Sequence, residues 1–333
     1  MISEGIQVLV SNMRPYYPYF FFVRNHQLLS KLPTPFVSLA SHQLAGRGRG
    51  SNVWLSPSGC LLFSLLLRVS LSNFPASKLV FIQYLFSLAV VEACRTESVL
   101  GSKAGSRIRL KWPNDVYAVI GSDEEASPEN VRKVGGVLVT ASFSGGNVDI
   151  VIGMFFSFSS HRRKMRFSVI CFLLGSGLNV LNLPPMTSLV QLREAAQTNI
   201  SLERTAAAVL SKFESMWTTF IHGGASFKPF MSLYLKRWIH SFVILLFYPY
   251  HSFMILARFF SLGFDRDQLV TLTTTVPHRQ VRVIGITEDH GLLRTVPERS
   301  TPGKFRSMAV EYIDLQPDGN SFDLMANLIK SKT

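Results

Sequence analysis

Cysteine is scarce in this sequence, and its three copies show none of the spacings that build disulfide frameworks or zinc sites. Cys60, Cys94 and Cys171 stand far apart and have no C-x-x-C partner, so the sequence predicts neither kind of cross-link. The eight histidines also lack a metal-ligand spacing. Because free thiols persist in reducing compartments, we expect a cytoplasmic protein.

Two patterns typical of many nucleotide-binding and secreted proteins are also missing. The sequence holds no G-x-x-x-x-G-K-[ST] loop, so any ATP site must be of a different kind. Its N-terminus lacks a basic region followed by an apolar core and a small-residue cleavage site, so we expect no secretory signal. Acidic residues are outnumbered by basic ones, 21 against 34. The net charge of +13 favours an anionic partner: a nucleotide, a nucleic acid, an acidic protein or a membrane surface.

Apolar residues are plentiful, and their spacing predicts a mixture of strands and helices. At 333 residues and 47% apolar content, the chain can bury a sizeable core and is long enough for two domains. Strands are predicted over 36–40, 60–69, 108–112, 116–120, 133–143, 148–153, 269–275, 281–287, 292–296 and 310–315. Helices are predicted over 74–94, 201–220 and 227–241, with a short one that Asn320 or Ser321 caps and that runs through Leu328. The apolar stripe of the first helix is predicted to be core: Leu79, Ile82, Leu85, Phe86, Ala89 and Val90.

A glycine-rich stretch with two arginines, Gly46-Arg47-Gly48-Arg49-Gly50, is the first motif that predicts chemistry. Glycine lets backbone N–H groups converge on a ligand, and arginine adds a fork of donors suited to phosphate or carboxylate. Trp54 follows with a flat face that can stack on a base. The stretch therefore suits a site that holds a nucleotide and a carboxylate together. A flexible basic loop, or a nucleic-acid contact of the Arg-Gly type, is the alternative.

Three further motifs follow in order along the chain. They are Lys111-Trp112-Pro113-Asn114-Asp115, Lys133-Val134-Gly135-Gly136-Val137-Leu138 and Gly175-Ser176-Gly177-Leu178-Asn179-Val180. With the arginine stretch they closely resemble the catalytic domain of biotin–protein ligases, also called holocarboxylase synthetases. The family patterns are roughly G-R-G-R-x-x-x-x-W-x-S-P, K-W-P-N-D, K-[IVL]-x-G-[IV]-L and G-x-G-[IL]-N-V. The resemblance covers most of 26–153 and 175–240, and 265–333 more loosely.

The resemblance implies an α+β fold. A mixed or antiparallel sheet with helices, of the class II synthetase-like, biotin/lipoate ligase type, is followed by a small SH3-like β-barrel. The implied domains are a catalytic one at 26–241 and a C-terminal one at 265–333. Aromatic-rich stretches at 1–25, 154–174 and 242–264 interrupt or replace family-like sequence. We interpret them as foreign sequence that does not belong to the protein, such as translated intron. For 242–264 a transmembrane or membrane-lying segment is the alternative.

The reaction that the resemblance implies has two steps. The carboxylate of biotin attacks the α-phosphorus of ATP, which gives biotinyl-5′-adenylate and pyrophosphate. A lysine on the biotin carboxyl carrier domain of a carboxylase then attacks this mixed anhydride. ATP, biotin and Mg²⁺ are the implied substrates and cofactor, and neither nucleic acid nor membrane is an expected partner. One alternative is a truncated relative that only binds nucleotide or carrier domains; another is a basic nucleic-acid-binding protein, although we find no helix-turn-helix.

Motif matching carries the family's roles onto individual residues of this sequence. It implies catalytic roles for Arg49, Lys111 and Lys133, whose positive charge would offset that of two reacting anions. Biotin-binding roles are implied for Gln43, Arg47, Gly48, Arg49, Lys133, Gly135, Gly136, Leu138, Gly175 and Gly177. ATP-binding roles are implied for Trp54, Asn114, Asp115 and Asn179, with Mg²⁺ at Asp115. For Asp115 a turn-capping role is the alternative, and Trp112 is predicted to be core.

One part of the family pattern is absent from the sequence. Family members carry a strand of Thr, Ser and Asn or Gln before the first motif, and its hydroxyls and amide bind the ureido ring of biotin. Residues 1–35 hold no such segment, and we expect that the chain begins late. Each ureido atom left without a partner would cost about 1–3 kcal/mol, so we expect weakened affinity for biotin.

Overall fold

A computed structural model of the chain describes residues 7–10, 31–40, 43–47, 53–56, 58–70, 72, 74–113, 115–121, 130–144, 147–155, 177–184, 186–193, 200–240, 268–298, 311–317, 320–323 and 328–331. For 7–10, 40, 43–47, 53–56, 142–144, 147–155, 177, 320–323 and 330–331 it describes the backbone alone. The predicted foreign stretch 242–264 lies outside these residues, as do most of 1–25 and of 154–174.

Strands and helices alternate irregularly along the first two thirds of the chain. The strands are β1 (Gln7–Val10), β2 (Phe36–Ala40), β3 (Gln43–Arg47), β4 (Val53–Ser56), β5 (Cys60–Ser70), β6 (Ile108–Lys111), β7 (Asp115–Val119), β8 (Val131–Ser144), β9 (Asn147–Phe155) and β10 (Gly177–Asn179). The helices are α1 (Leu79–Cys94), α2 (Gly101–Gly105), α3 (Leu202–His222) and α4 (Lys228–Lys236), with 3₁₀ turns at Ala76–Lys78 and Leu189–Leu192. The strands predicted between residues 36 and 153 are confirmed, and β1, β3, β4 and β10 are additional.

The main sheet has eight strands and is almost entirely antiparallel. Its order is β1-β2-β5-β10-β8-β7-β6, and β9 pairs with both β5 and β8. The exception is β1, which runs parallel to β2 at one edge. At the other edge the backbone of 237–239 runs beside β6, since Leu110 N–H donates to Arg237 O and Ile239 N–H donates to Leu110 O, both at 2.8 Å. That pairing ends α4 at Lys236, so the predicted helix over 227–241 is too long.

Helix α1 forms the centre of the core, and one face of the main sheet packs on it. Every residue from Phe81 to Val91 is buried, so the predicted apolar stripe covers only part of the buried surface. A helix that is apolar on all sides is expected inside a large core or a membrane. The stretch Ala76–Cys94 is long and apolar enough to cross a membrane, but 72% of its apolar window is buried inside the protein. We therefore assign it to the core.

Helices α3 and α4 pack against α1, and α3 also contacts β5 of the main sheet. Helix α3 begins at the N-cap Ser201, whose hydroxyl accepts from Arg204 N–H at 3.2 Å, as capping predicts. It meets α1 through aromatic rings: the Phe86 and Phe213 centroids are 4.9 Å apart. Each such contact adds about 0.5–1.5 kcal/mol to the burial of the rings.

The C-terminal residues form a second sheet of six strands. They are β11 (Leu269–Leu272), β12 (Arg279–Ile286), β13 (Leu293–Pro297), β14 (Ile313–Leu315), β15 (Asn320–Asp323) and β16 (Leu328–Ser331), in the order β14-β13-β12-β11-β16-β15. The predicted helix between Asn320 and Leu328 is wrong, because β15 and β16 pair with each other as antiparallel strands. Closure into an SH3-like barrel stays a prediction.

Candidate active site

Three of the four sequence motifs meet in one row across the main sheet. Lys111 of β6 lies opposite Asp115 of β7, Asp115 opposite Gly136 of β8, and Gly136 opposite Gly177 of β10. Neighbouring strands are about 4.8 Å apart, so the row spans roughly 14 Å. Directly opposed residues point to the same face of a sheet. The row is therefore a continuous strip on one face, to which three motifs contribute.

The residues one position away make a second row that faces the core. Leu110, Val116, Gly135 and Leu178 lie opposite one another in the same four strands, and their side chains are at most 1% exposed where they have one. Successive residues of a strand point to opposite faces. The row of Lys111 and Asp115 thus lies on the face turned away from α1, which we call the open face. Gly135, a predicted biotin contact, belongs to the buried row.

A β-bulge brings Lys133 onto the open face. Lys133 and Gly136 are three residues apart, so in a regular strand they would point to opposite faces. The register of β7 on β8 shifts between Val116 and Tyr117, so that Tyr117 lies opposite Lys133 while Val116 lies opposite Gly135. The extra residue on β8 is Val134, which is buried. Bulges commonly re-aim a side chain in this way.

Lys133 forms an ion pair with Asp115 across the two strands. Its Nζ lies 2.6 Å from Asp115 Oδ1, and the side chains are 17% and 20% exposed, so solvent screens the pair only partly. Lys111 Nζ lies 5.4 Å from the centroid of the Tyr117 ring, which is within the range of a cation–π contact. The predicted catalytic residues Lys111 and Lys133 are thus on one face, with one carboxylate between them. The strip carries more positive than negative charge.

Arg109 is a residue of the open face that we did not predict. It lies opposite Tyr117 and two residues before Lys111 on β6, so it shares their face. One guanidinium nitrogen, Nη1, donates to Lys236 O at 3.4 Å. The signal was present in the sequence, since Ile108 and Leu110 are apolar while Arg109 and Lys111 are charged. Alternation of that kind predicts one buried and one open face.

Strands β9 and β10 occupy a single line of the sheet, between β5 and β8. Strand β9 pairs with Ser64–Ser70 of β5, and β10 runs on in the same direction opposite Cys60 and Leu61. On the other side, Phe155 and Gly177 both lie opposite Gly136. The pairing of β10 is therefore offset from that of β9 by the same number of residues against β5 and against β8. The chain that joins the two pieces, 156–176, lies outside the described residues.

Three glycines lie close together as a patch on the open face along this line, where Phe155 shares the place of Gly177 opposite Gly136. Gly153 lies opposite Leu138, two positions before Gly177 along the shared line, and Gly136 is next to both. These three glycines carry no Cβ, so a flat ligand can approach the backbone there. Gly153 stands where motif matching expected Gly175, which is outside the described residues. The half-buried Leu138 borders the patch.

Asn179 continues the line but is fully buried. Its Nδ2 donates to Thr187 O at 2.7 Å, and its Oδ1 accepts from the Cys60 thiol at 3.3 Å. Asn182, which we did not predict, donates to Ser58 O at 2.8 Å beside it. Burial raises the pKa of Cys60 to about 11, so its thiol stays a donor. Asn179 therefore holds together the loop that follows β10, and its contact with a nucleotide stays a prediction.

The arginine motif forms a hairpin of its own, β3–β4. Gly46 lies opposite Trp54, and Arg47 opposite Val53. The hairpin connects Ala40, at the end of β2, to Cys60, at the start of β5, and Cys60 lies opposite Asn179. It therefore leaves the main sheet at the end where β10 brings its glycine. The side chains of Gln43, Arg47 and Trp54 are not among the described ones, and the predicted residues Gly48, Arg49, Asn114 and Gly175 are outside the description altogether.

Comparison with known proteins gives matches over most of the chain. Residues 10–157 match the profile of the biotin/lipoate A/B protein ligase family. The biotin–protein ligase of Schizosaccharomyces pombe is 30% identical to the chain over 321 residues, which is 93% of the chain. The chain belongs to this family. The match to the ligase family begins in the N-terminal stretch that we had interpreted as foreign, close to β1.

Other relatives agree with this assignment to the ligase family. Biotin–protein ligase 2 of Arabidopsis thaliana is 29% identical over 306 residues, 91% of this chain and 71% of that protein. The chain spans 41% of the length of the yeast relative. The fold matches a biotin protein ligase from Aquifex aeolicus in complex with biotin and ATP, with a TM-score of 0.52, 17% identity and coverage of 95% and 97% of the two chains. The predicted α+β ligase fold is thereby confirmed.

Proposed function

We propose that the protein activates biotin with ATP as biotinyl-5′-adenylate and transfers the biotinyl group to a lysine of a biotin carboxyl carrier domain. The observation that carries this proposal is the strip on the open face. Lys111, Asp115, Lys133 and two motif glycines from separate parts of the sequence share one side of four adjacent strands. The relative whose fold matches was solved with biotin and ATP.

The glycine patch suits the ring system of biotin, since glycines admit a flat group close to the backbone. Lys133 lies at the border of this patch, so its ammonium is placed to meet the carboxylate that biotin presents. In the structure that ammonium already holds one carboxylate, that of Asp115, at 2.6 Å. A charge-assisted hydrogen bond to a substrate carboxylate is of the same kind. Asp115 thus keeps Lys133 oriented towards the open face.

Adenylation brings two anions together, and positive charge must be in place where they react. A carboxylate oxygen of biotin forms a bond to the α-phosphorus, and the bond from that phosphorus to the bridging oxygen of pyrophosphate breaks. Lys111 and Lys133 lower the repulsion between the carboxylate and the phosphate and stabilise charge on the transferred group. Arg109, on the same face, adds to that field.

Transfer needs a neutral amine from the carrier domain. Its nitrogen attacks the acyl carbon of the adenylate, an amide bond forms, and AMP leaves with the bonding electron pair while the amine loses its proton. A lysine side chain of another protein would reach the strip from the side turned away from α1, where Lys111, Asp115 and Lys133 are partly exposed. We propose carboxylase carrier domains as the partners and neither nucleic acid nor a membrane.

Magnesium is proposed to accompany the nucleotide. Among the residues that the structure describes, no group of three or more His, Cys, Asp or Glu side chains could hold a metal ion. This fits Mg²⁺, which keeps waters and binds through one or two carboxylates together with substrate phosphates. Asp115 is the open-face carboxylate that could take that role, and it would exchange its contact with Lys133 for it. Bound there, the ion would neutralise triphosphate charge.

The cellular setting and domain division stay predictions. Cys60 and Cys94 are free, buried thiols, which supports the proposal of a reducing compartment such as the cytoplasm. The domains at 26–241 and 265–333 and the foreign stretch at 242–264 stay predictions, and the shared line of β9 and β10 supports the foreign insert at 154–174. Two strand pieces on one line, offset by the same number of residues against both neighbours, are what an insertion within one strand would produce.

The test is a transfer assay with the purified chain, labelled biotin, ATP, Mg²⁺ and a biotin carboxyl carrier domain. We expect pyrophosphate release that requires biotin, and label on the carrier domain that requires ATP. Omission of ATP and a carrier whose target lysine is changed to arginine are the controls. Binding of the carrier domain with no adenylate formed would overturn the proposal in favour of a binding protein without catalytic activity.

A further inference from the structure

Trp112 lies inside the motif that carries Lys111 and Asp115, yet it belongs to the core. Its side chain is 1% exposed, as predicted, and both of its N–H groups are hydrogen-bonded. The backbone N–H donates to His240 Nε2 at 3.2 Å, and the indole Nε1–H donates to the Tyr84 hydroxyl at 3.0 Å. The turn between β6 and β7 is therefore held from the core side.

The first of these bonds continues into the C-terminal sheet through His240. Because Nε2 accepts from Trp112, the neutral imidazole carries its proton on Nδ1, which donates to Gln268 Oε1 at 2.8 Å. His240 is fully buried, and burial lowers its pKa to about 4, so the neutral form prevails. Gln268 is tied to β12, since its backbone oxygen accepts from Val283 N–H at 3.1 Å.

The second bond continues into the same sheet through Tyr84. The Tyr84 hydroxyl donates to Gly291 O at 2.7 Å, in the turn between β12 and β13. Gly291 has a φ of +61°, and a Cβ on it would lie 2.8 Å from the Tyr84 ring. Only glycine combines that backbone conformation with so close an approach. Lys78 Nζ also donates to Asp289 O at 3.1 Å, which holds the turn against α1.

We propose that His240 and Tyr84 are positioning residues for the adenylation step, each of which fixes Trp112 and thereby the placement of Lys111 and Asp115. This inference rests on the proposed function. One hydrogen-bonded path, or relay, runs from Trp112 N–H through His240 to Gln268. The other runs from the indole Nε1–H of Trp112 through Tyr84 to Gly291. Both relays end on the C-terminal sheet, so they define the position of the β6–β7 turn. Neither His240 nor Tyr84 lies on the open face, and neither is among the residues that the four motifs contain.

The effect of losing a relay follows from the geometry of the reaction. Displacement of a charged group by about 1 Å can cost on the order of 100-fold in rate. Lys111 and Asp115 flank the turn directly, whereas Gly136, Gly153 and Gly177 lie on other strands. Loss of a relay should therefore slow attack on ATP while biotin binding is nearly unchanged. Transfer from an adenylate that is already formed should also change little.

The kinetic test compares Tyr84→Phe with Tyr234→Phe. Tyr234 is a matched control because it is 1% exposed and its ring packs 5.2 Å from that of Tyr84. Its other ring contacts are with Trp238 and Phe227. For Tyr84→Phe we expect pyrophosphate release to slow by about 10-fold or more, with the KM for biotin and transfer from supplied biotinyl-5′-adenylate within twofold. For Tyr234→Phe we expect no difference between the effect on pyrophosphate release and the effect on transfer from supplied biotinyl-5′-adenylate. Equal behaviour of the two variants, or equal loss in both half-reactions, would overturn the proposal.

A second test does not depend on catalysis. Hydrogen–deuterium exchange of the unliganded protein is compared for wild type, His240→Phe, which keeps a ring but no acceptor, and His240→Gln, which keeps an acceptor. We expect faster exchange at 110–117 in His240→Phe, partial return to wild type in His240→Gln, and no change in β5 or β8. Unchanged exchange at 110–117, or faster exchange throughout the main sheet, would overturn the positioning role even if the wild type forms no adenylate.

Discussion

Adjacent residues of strands β6, β7, β8 and β10 point to opposite faces of the sheet, and the two faces have different compositions. On the core face, Leu110, Val116 and Leu178 are at most 1% exposed and pack towards α1. On the open face the neighbouring positions hold Lys111, Asp115 and Gly177, with Lys133 ion-paired to Asp115. The same four strands thus present buried apolar residues on one side and the residues that we propose for the chemistry on the other. Substitutions on the two faces should therefore fail in different ways.

The largest expected effect is that of Lys133→Ala on the open face. We expect adenylate formation to fall by about 1,000-fold, because the variant removes a preorganised positive charge from the reacting anions. The unfolding free energy should fall by about 1–3 kcal/mol with the protein still folded, because the pair is only 17% and 20% exposed and the variant removes one partner of it. Pyrophosphate release and urea unfolding measure the two quantities.

The matched control for that prediction is Arg132→Ala. Arg132 is the preceding residue of β8, and it is exposed. Its loss removes the same charge from the protein without touching the open face strip. If Lys133→Ala formed adenylate at the rate of Arg132→Ala, the assignment of Lys133 would be wrong.

Leu178→Ala should give the opposite result on the core face. Leu178 is fully buried, between Gly135 and Leu61 in the sheet, so its truncation leaves a cavity. We expect the unfolding free energy to drop by about 3 kcal/mol, within the usual range for such changes, as measured by urea unfolding. The KM values of the protein that remains folded should stay within twofold. Unchanged stability combined with lost activity would show that the two faces are not separate.

Acid should lower the unfolding free energy through protonation of the buried His240. Its folded pKa is about 4, lowered by burial and also by the charge of Lys111, against 6.5 in the unfolded chain. The unfolded state therefore binds more protons between these values, so stability is full above pH 6.5 and falls as the pH drops towards 4. Linkage gives a loss of about 3 kcal/mol.

Unfolding free energies at pH 7, 5.5 and 4.5 test this titration. We expect the slope between pH 6.5 and 4 to be smaller in His240→Gln, whose side chain does not titrate, than in the wild type. Identical slopes in the two proteins would contradict the assignment of the effect to His240.

The smallest effect is expected at the glycine patch. A methyl group from Gly153→Ala would enter the open face beside Gly136, and we expect the KM for biotin to rise by about 10-fold, which corresponds to about 1.4 kcal/mol. Strands accept alanine, so folding should be preserved. An unchanged KM for biotin in Gly153→Ala would contradict the placement of biotin at this patch.

Much of this site could be predicted from the sequence because the motifs are local. Lys111, Asp115 and Lys133 were assigned together, and the structure places them on one face. The face of Lys133 was not predictable from alternation, since Val134 shifts the register by one residue. A bulge depends on the fit between two strands, which no single segment records.

The parts that were missed depend on contacts between distant segments. The pairing of 237–239 with β6 ended helix α4 early, although its helical pattern continued. The strand pair β15–β16 replaced a predicted helix because β16 also pairs with β11. His240 had no sequence signal at all, since its role is defined by Trp112 and Gln268, 128 and 28 residues away along the chain.

The shared line of β9 and β10 has a practical consequence. Both of its pieces are held by the same two neighbours, so the sheet does not depend on what joins them, and lengthening a connection costs little entropy. A fluorescent tag spliced between Phe155 and Gly177 would emerge at the rim of the glycine patch. Fluorescence from a tag at this position would report on ligand binding at the patch.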